Sequence, residues 1–518
     1  MASEPAKAKS IYHSGKDFWE ANPNKALVIC DNIEFRIKDA KRLISYIHTQ
    51  LQVHEIGSEI PIALISSNAF WNLSAILHAS ITGSLLIPIA PSLSGGQVDN
   101  IVNGHKPCVL LITMDAYERF QQWGSEVLAN VNTILLPNPE VINDEQESTS
   151  FDTKLCSSDI HLPYLLTHTS GSTGAPKAIV FSQQTKLLRA FSAIKAWGLD
   201  TADVFLTASG LYHSLGQRHY ITAWLCGCTN IVLSSFSASG WINSAFKFKV
   251  SFSIPVSSHL YDLCREESFF RLAESRQFKA LVSSSSYLSS KLRMRLFWAF
   301  GECFFEMYGT SEVGTATITS ALDIHHNPQT VGKALPDVDI EIRAIGSQQN
   351  VARMNIGEIF VLSPYVCLGY WSGRKLSTVM EKHSYFGTGD LGFLDSDGYL
   401  YYSGRAKDSF KVGGIMVYPA EIEEVIMSSG LVILARVIDI EYPRLGSVAV
   451  AGIIPIDTSE DVQRLKRQLR ALCATKLAGY QVPHELVVFS EPPKLPSGKS
   501  DLVTIDHIIR RSLAVSRP

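Results

Sequence analysis

Apolar helical stretches alternate with short β-rich runs through the first half of the chain, and this alternation limits the fold more than any other feature. Leu43 to Leu51 precedes Ile60-Pro61-Ile62-Ala63-Leu64-Ile65. Phe70 to Ile81 precedes Leu85-Leu86-Ile87-Pro88-Ile89, and Val109-Leu110-Leu111-Ile112 is a further run of the same kind. Short, continuously apolar runs bounded by helical patterns read as strands buried on both faces, so helices must cover each sheet from two sides. The expected class is α/β. With 518 residues, 46% of them hydrophobic, the chain has material for about three domain-sized units.

The composition shifts near Gly404-Arg405-Ala406-Lys407-Asp408, where a Gly/Asp-rich, hairpin-like region ends. Beyond it, Val448 to Ile454 reads as a strand and Glu485 to Phe489 as another. Between them, Val462, Leu465, Leu469 and Leu472 recur at helical spacing, with Gly479 and Pro483 as stop signals. Lys466, Arg467 and Arg470 read as that helix's ordinary solvated face. The division is therefore a large, multi-subdomain N-terminal domain over 1–406 and a small α+β domain over 407–518, of about 110 residues.

A net charge of -3 with no long charged block argues against nucleic acid and anionic membrane as partners. The start Met1-Ala2-Ser3-Glu4-Pro5-Ala6-Lys7 lacks a basic-then-apolar leader pattern. No segment reaches the roughly 18 apolar residues of a membrane span. A cytoplasmic, soluble protein is expected. The nine cysteines form no repeating framework and suit reduced thiols. Cys226-Gly227-Cys228 lies in an apolar segment and reads as core; His325-His326 reads as a solvated loop pair.

Shortly after the apolar run Tyr164-Leu165-Leu166 comes Thr169-Ser170-Gly171-Ser172-Thr173-Gly174-Ala175-Pro176-Lys177. Its two glycines, four hydroxyls and lysine suit a loop that closes around a polyphosphate: glycine lets backbone N–H groups approach an anion, while hydroxyls and the ammonium add donors and charge. It is not the common P-loop, because Pro176, Lys177 and Ala178 stand where that pattern needs Gly-Lys-Ser/Thr.

With the motifs downstream, the chain resembles the acyl-adenylate-forming superfamily: acyl- and aryl-CoA synthetases, nonribosomal peptide synthetase adenylation domains and firefly luciferase. The resemblance covers nearly the whole chain. It implies that loop 169–177 (Thr169, Ser170, Gly171, Ser172, Thr173, Gly174 and Lys177) embraces the phosphates of ATP. Tyr308-Gly309-Thr310-Ser311-Glu312 is similar to the family's Tyr-Gly-x-Thr-Glu, with serine for the usual threonine. By that resemblance Tyr308 lies against adenine, Ser311 reaches the α-phosphate and Glu312 helps hold Mg²⁺, a hard carboxylate for a hard cation. Thr388-Gly389-Asp390 and Arg405 would hold the ribose. Lys407 would be the hinge of a mobile C-terminal domain, and Lys499 the lysine that stabilises charge on the phosphoryl oxygens.

Tyr212-His213-Ser214-Leu215-Gly216 looks like the segment that places His213 beside the acid's carboxylate. No aspartate lies between Ser209 and Tyr220 to pair with an α-ammonium, which disfavours amino-acid substrates. Ser284, Ser285 and Ser286 stand where relatives carry glycines and a small apolar residue. With Gly309 they would line a pocket for a small aryl or short acyl acid. The reading is an ATP-dependent acid–thiol ligase that makes an acyl-AMP and passes the acyl group to CoA. The alternatives are loading of the phosphopantetheine arm of a separate carrier protein, since only 19 residues follow Lys499, and a catalytically dead nucleotide-binding scaffold.

Overall fold

A computed structural model describes residues 9–55, 60–122, 131–142, 159–169, 177–284, 288, 290–378, 384–443, 445–457, 461–491, 493 and 500–515. The early alternation folds as read: helix Ile37–Val53 leads to strand Pro61–Ile65, and helix Ala69–Thr82 leads to strand Leu85–Ile89. Asn68 starts the second helix, its side-chain oxygen accepting from Phe70 N at 2.9 Å and Trp71 N at 3.1 Å. Gly83, at φ 72°, ends it. Every residue of that helix is buried, and two of its hydroxyls find partners inside: Ser80 Oγ accepts from Tyr12 N at 3.0 Å, and Thr82 Oγ1 donates to His78 O at 3.0 Å.

Two large sheets result. One runs, edge to edge, through strands 375–378, 369–372, 177–182, 163–169, 85–89, 61–65, 109–113 and 132–136. The other runs through 333–334, 314–319, 304–310, 280–283, 252–253, 204–207, 229–232, 28–30 and 33–35. The strands from 163–169 to 132–136 pair in parallel, as do those from 304–310 to 28–30; toward the edges the pairing is antiparallel, between chain neighbours except where 177–182 meets the distant 369–372. The sheets are thus mixed, because strands joined by short turns pair at once with their chain neighbours. A separate antiparallel sheet of Asp339–Arg343, Gly357–Leu362, Phe386–Leu394 and Leu400–Arg405 carries Asp390 opposite Arg405.

The smaller C-terminal domain begins with the hairpin Phe410–Val412 and Ile415–Val417, which turns on Gly413 and Gly414 at φ 57° and 87°. Strand Gly446–Pro455 pairs antiparallel with Val432–Tyr442 and parallel with Glu485–Val488. Helix Val462–Lys476 buries Leu465, Leu469 and Cys473, while Val462 is exposed, so the apolar stripe lies one turn further on than the sequence suggested. Lys466 and Arg470 are not merely solvated: they pair with Glu485 at 2.9 and 3.1 Å and tie the helix to its strand. His325 and His326 are exposed but end the short helix Ala321–His326. Cys226 is half-buried and Cys228 buried. No helix among the described residues is long and apolar enough to cross a membrane.

Candidate active site

Parallel strands end with their carbonyl termini on one side, and the loops that leave there gather chemically active residues. His213 follows strand Val204–Thr207, Ser284 follows Ala280–Ser283, and Tyr308 lies near the end of Phe304–Thr310. A bulge interrupts the hairpin between Tyr308 and Gly309. A Cβ on Gly309 would come within 1.9 Å of Gly314 O, so the position admits only glycine without backbone movement.

The Tyr308 hydroxyl donates to Asp390 Oδ2 at 2.8 Å, and Arg405 Nε lies 2.8 Å from Asp390 Oδ1. Arg405 Nη1 also donates to Thr388 O at 3.3 Å, and Asp390 N to Thr388 Oγ1 at 3.1 Å. Three residues expected at the base and ribose are thus one hydrogen-bonded group. Burial raises the Asp390 carboxyl to about 6, outweighing the opposing pull of Arg405 and of the Tyr308 hydrogen bond. The Tyr308 phenol is raised by burial and then by Asp390.

At the other end of the same segment, Tyr370 joins two residues far apart in sequence. Its hydroxyl donates to Glu312 Oε1 at 3.4 Å, and Lys177 Nζ lies 5.4 Å from its ring centroid. Burial and then Glu312 push the Tyr370 phenol up to about 12. Thr169 and Lys177 face each other across strands Pro163–Thr169 and Lys177–Ser182, the two arms that flank the glycine-rich segment. Ser170, Gly171, Ser172, Thr173 and Gly174 lie outside the described residues, as do Ser285, Ser286 and Lys499.

The backbone of Ser311 and Glu312 is held by Arg189, which the sequence reading missed. Its guanidinium donates to Ser311 O and Glu312 O at 3.0 Å each, and to Tyr365 O at 2.9 and 2.7 Å. The signal was present: Lys186 and Arg189 interrupt the buried stripe of Leu187, Ala190 and Ala193 in helix Gln183–Ala196. A charge on a buried stripe needs a partner.

His213 caps helix Ser214–Cys226, its carbonyl accepting from Gln217 N at 3.0 Å, and its ring meets Tyr212 edge-on at 4.5 Å. His168 bonds His105, Nε2 to Nε2, at 2.9 Å. Burial first, then His105 and His213, push His168 down to about 3, which sets His213 near the strand that leads to Thr169. Ser284 is half-buried and bridges to Val256. Lys407 is exposed, and Asp408 beside it is held by Arg436 of the small domain at 3.1 Å. Among the described residues no group of three metal-ligating side chains occurs. A lone Glu312 fits Mg²⁺ only in the manner of a cation held chiefly by substrate phosphates.

The chain matches the AMP-binding enzyme over residues 16–371 and the AMP-binding enzyme C-terminal domain over 421–499. It belongs to the AMP-binding enzyme family. Its class is that of an AMP-forming ligase. The indoleacetate–CoA ligase of Aromatoleum aromaticum is 24% identical over 469 residues, covering 88% of this chain and 90% of that protein. The malonate–CoA ligase of Arabidopsis thaliana is 27% identical over 478 residues, covering 86% and 76%. The solved structure of the anthranilate CoA ligase AuaEII with anthranoyl-AMP shares the fold, with a TM-score of 0.85, 19% identity, and 99% and 100% of the two chains covered.

Proposed function

We propose that the chain is an ATP-dependent acid–CoA ligase acting on a small aryl or short acyl acid. The acid's carboxylate oxygen attacks the α-phosphorus of ATP, the bond to pyrophosphate breaks, and acyl-AMP forms. The CoA thiolate then attacks the acyl carbon, and AMP leaves with the bonding electrons. The observation that carries this reading is the arrangement along Tyr308–Glu312: the Tyr308–Asp390–Arg405 group suits a base and ribose at one end, and Lys177, Tyr370 and Glu312 suit phosphates at the other.

In this reading Asp390 accepts from the ribose hydroxyls, Arg405 supports it, and Tyr308 presents its ring to adenine. Lys177 and the residues 169–174 bind the β- and γ-phosphates. Ser311 bonds the α-phosphate. Mg²⁺ on Glu312 would neutralise phosphate charge. Lys499, delivered as the domain turns about Lys407, stabilises the anionic phosphoryl group, and a carboxyl end of the acid lies beside His213. Half-buried Ser284, next to the strand that bears Tyr308, keeps the acyl pocket short and polar.

Pyrophosphate exchange over a panel of carboxylic acids tests the reading. Exchange that depends on a small aryl or short acyl acid, followed by thioester formation with free CoA, is expected. No exchange with any acid would point to a nucleotide-binding scaffold. Acylation of a phosphopantetheinylated carrier protein but not of CoA would replace the acceptor.

A further inference from the structure

Beside the proposed acyl pocket lies a small cavity, with room for about one water-sized sphere, lined by Lys186, Arg189, Ala190, Ser214, Arg218 and Ile221. Three of these six carry basic side chains. Lys186 and Arg189 are 4% and 6% exposed. None of the three makes an ion pair with a described carboxylate. Lys186 Nζ donates to Gln217 Oε1 at 2.6 Å and stands 3.8 Å from the Phe181 ring centroid. Arg189 is spent on backbone carbonyls, and Arg218 Nη1 donates to Thr315 Oγ1 at 3.0 Å and contacts Met307 Sδ at 3.3 Å. Gln217 cannot offset the charge, being itself bound to Thr167 Oγ1 and Leu166 O, both at 2.9 Å.

Like charges gathered in a poorly hydrated space repel, and burial disfavours the charged form of each. Burial first, then Arg189 and Arg218, hold Lys186 well below its ordinary range; burial first brings Arg189 to about 9 and Arg218 to about 10. Ser214 adds to the field: it opens the 13-residue helix Ser214–Cys226, whose positive end faces the cavity. An anion would relieve the three basic groups and the helix end together.

The position says which anion. Ser214 follows His213 directly, and Thr315, the partner of Arg218, is the register neighbour of Gly309 across the hairpin. The cavity therefore adjoins two of the residues assigned to the acid's pocket, His213 and Gly309. Resting on the function proposed above, we infer that the cavity receives a second acidic group of the substrate: the distal carboxylate of a short dicarboxylic acid or of a carboxylated aryl acid. Arg218 is the side chain best placed to engage it, since only one of its terminal nitrogens is taken up by Thr315 and Met307. This is a specificity determinant, joined to the groups that handle ATP only through Arg189, which also holds the backbone of Ser311 and Glu312.

The test compares matched acids, butanoate with succinate and benzoate with isophthalate, by initial rates of pyrophosphate release. In the wild type the dicarboxylate of at least one pair is expected to show a tenfold or greater advantage in kcat/KM. Arg218→Gln should shrink that ratio tenfold or more, chiefly through the dicarboxylate's KM, and Lys186→Met is a second variant should the first fail to fold. A preference for the monocarboxylate in both pairs, or a ratio untouched in both variants, overturns the proposal. Thermal melting without ATP reads the cavity separately from turnover: succinate should stabilise the wild type more than butanoate does. If no acid supports pyrophosphate release yet succinate still stabilises, the ligase reading fails and the anion site stands. Stabilisation by inorganic phosphate alone, lost in Arg218→Gln and unmatched by succinate, would assign the cavity to a free oxyanion and overturn the substrate assignment.

Discussion

Asp390 should make ATP use sensitive to pH near 6. The residue is 2% exposed, and burial lifts its carboxyl from 3.8 to about 6 in spite of Arg405 at 2.8 Å. That rise is about 3 kcal/mol of disfavoured ionisation at roughly 1.36 kcal/mol per pH unit. Between about pH 4 and 6 the folded chain holds this proton while the unfolded chain has lost it, so this group makes stability fall as pH rises through that window. Binding runs the other way. Two ribose hydroxyls need the ionised acceptor, and at pH 5 only about a tenth of the folded chain carries it, which raises the apparent KM for ATP about tenfold over its value near pH 8. The assay is pyrophosphate exchange from pH 5 to 8 on the wild type and on Asp390→Asn, the variant correcting for the titration of ATP itself. Asp390→Asn should have a weaker but flat relative KM, with thermal stability at pH 7 no lower than the wild type's. Parallel KM profiles for the two proteins would refute the assignment of Asp390 to the ribose.

Arg293 forms a buried ion pair at 2.6 Å with Glu306, which lies on the strand that bears Tyr308, the side chains being 0% and 8% exposed. Arg293→Met should cost about 3–5 kcal/mol in urea unfolding, with much of it recovered by adding Glu306→Gln; a loss under about 1 kcal/mol would show the pair to be dispensable. Arg189→Lys keeps the charge but not the fork that spans three carbonyls. It should lower kcat/KM for ATP about tenfold or more while the acid's KM changes little; wild-type kinetics would show that Ser311 and Glu312 are held by other means. Lys499→Ala should slow adenylation by about 10²–10³-fold and spare thioester formation from supplied acyl-AMP, and equal losses in both steps would exclude its role. Lys407→Pro fixes φ and should separate the two half-reactions in single-turnover measurements; normal rates for both would remove the hinge from Lys407.

What the sequence made legible was whatever local chemistry dictates. The run Leu85–Ile89 is apolar on both faces and is a central strand at those residues. Tyr308, Asp390 and Arg405 were named from their motifs, and a hydrogen-bonded group unites them. What stayed hidden depended on partners distant in the chain. Strand Val432–Tyr442 carries Arg436, Asp439 and Glu441 among its apolar residues, and its place comes from pairing with Gly446–Pro455. Tyr370 has no motif; its place between Lys177 and Glu312 comes from the pairing of Gly369–Ser372 with the strand that Lys177 begins. Arg189 was legible as an anomaly on a buried stripe, but its carbonyl partners are 122 to 176 residues away. Helical periodicity likewise marked Lys466 and Arg470 as solvent-facing and could not show Glu485 waiting across the fold.

Two groups in the proposed site destabilise the empty chain for related reasons. Asp390 is a carboxylate kept from water with only Arg405 to balance it, and Lys186, Arg189 and Arg218 are basic groups whose burial disfavours their charge and which form no ion pair with a described carboxylate. A hydrophobic replacement at any of these positions would pack more easily, so packing alone does not account for them. Opposite signs occupy separate compartments: the carboxylate where hydroxyl donors of a ribose would arrive, the cations where an acid's far end would arrive. An acid whose carboxylate reached Asp390 would meet a like charge there. The arrangement therefore discriminates by repulsion as well as attraction, and each ligand on its own side relieves strain that the fold already carries.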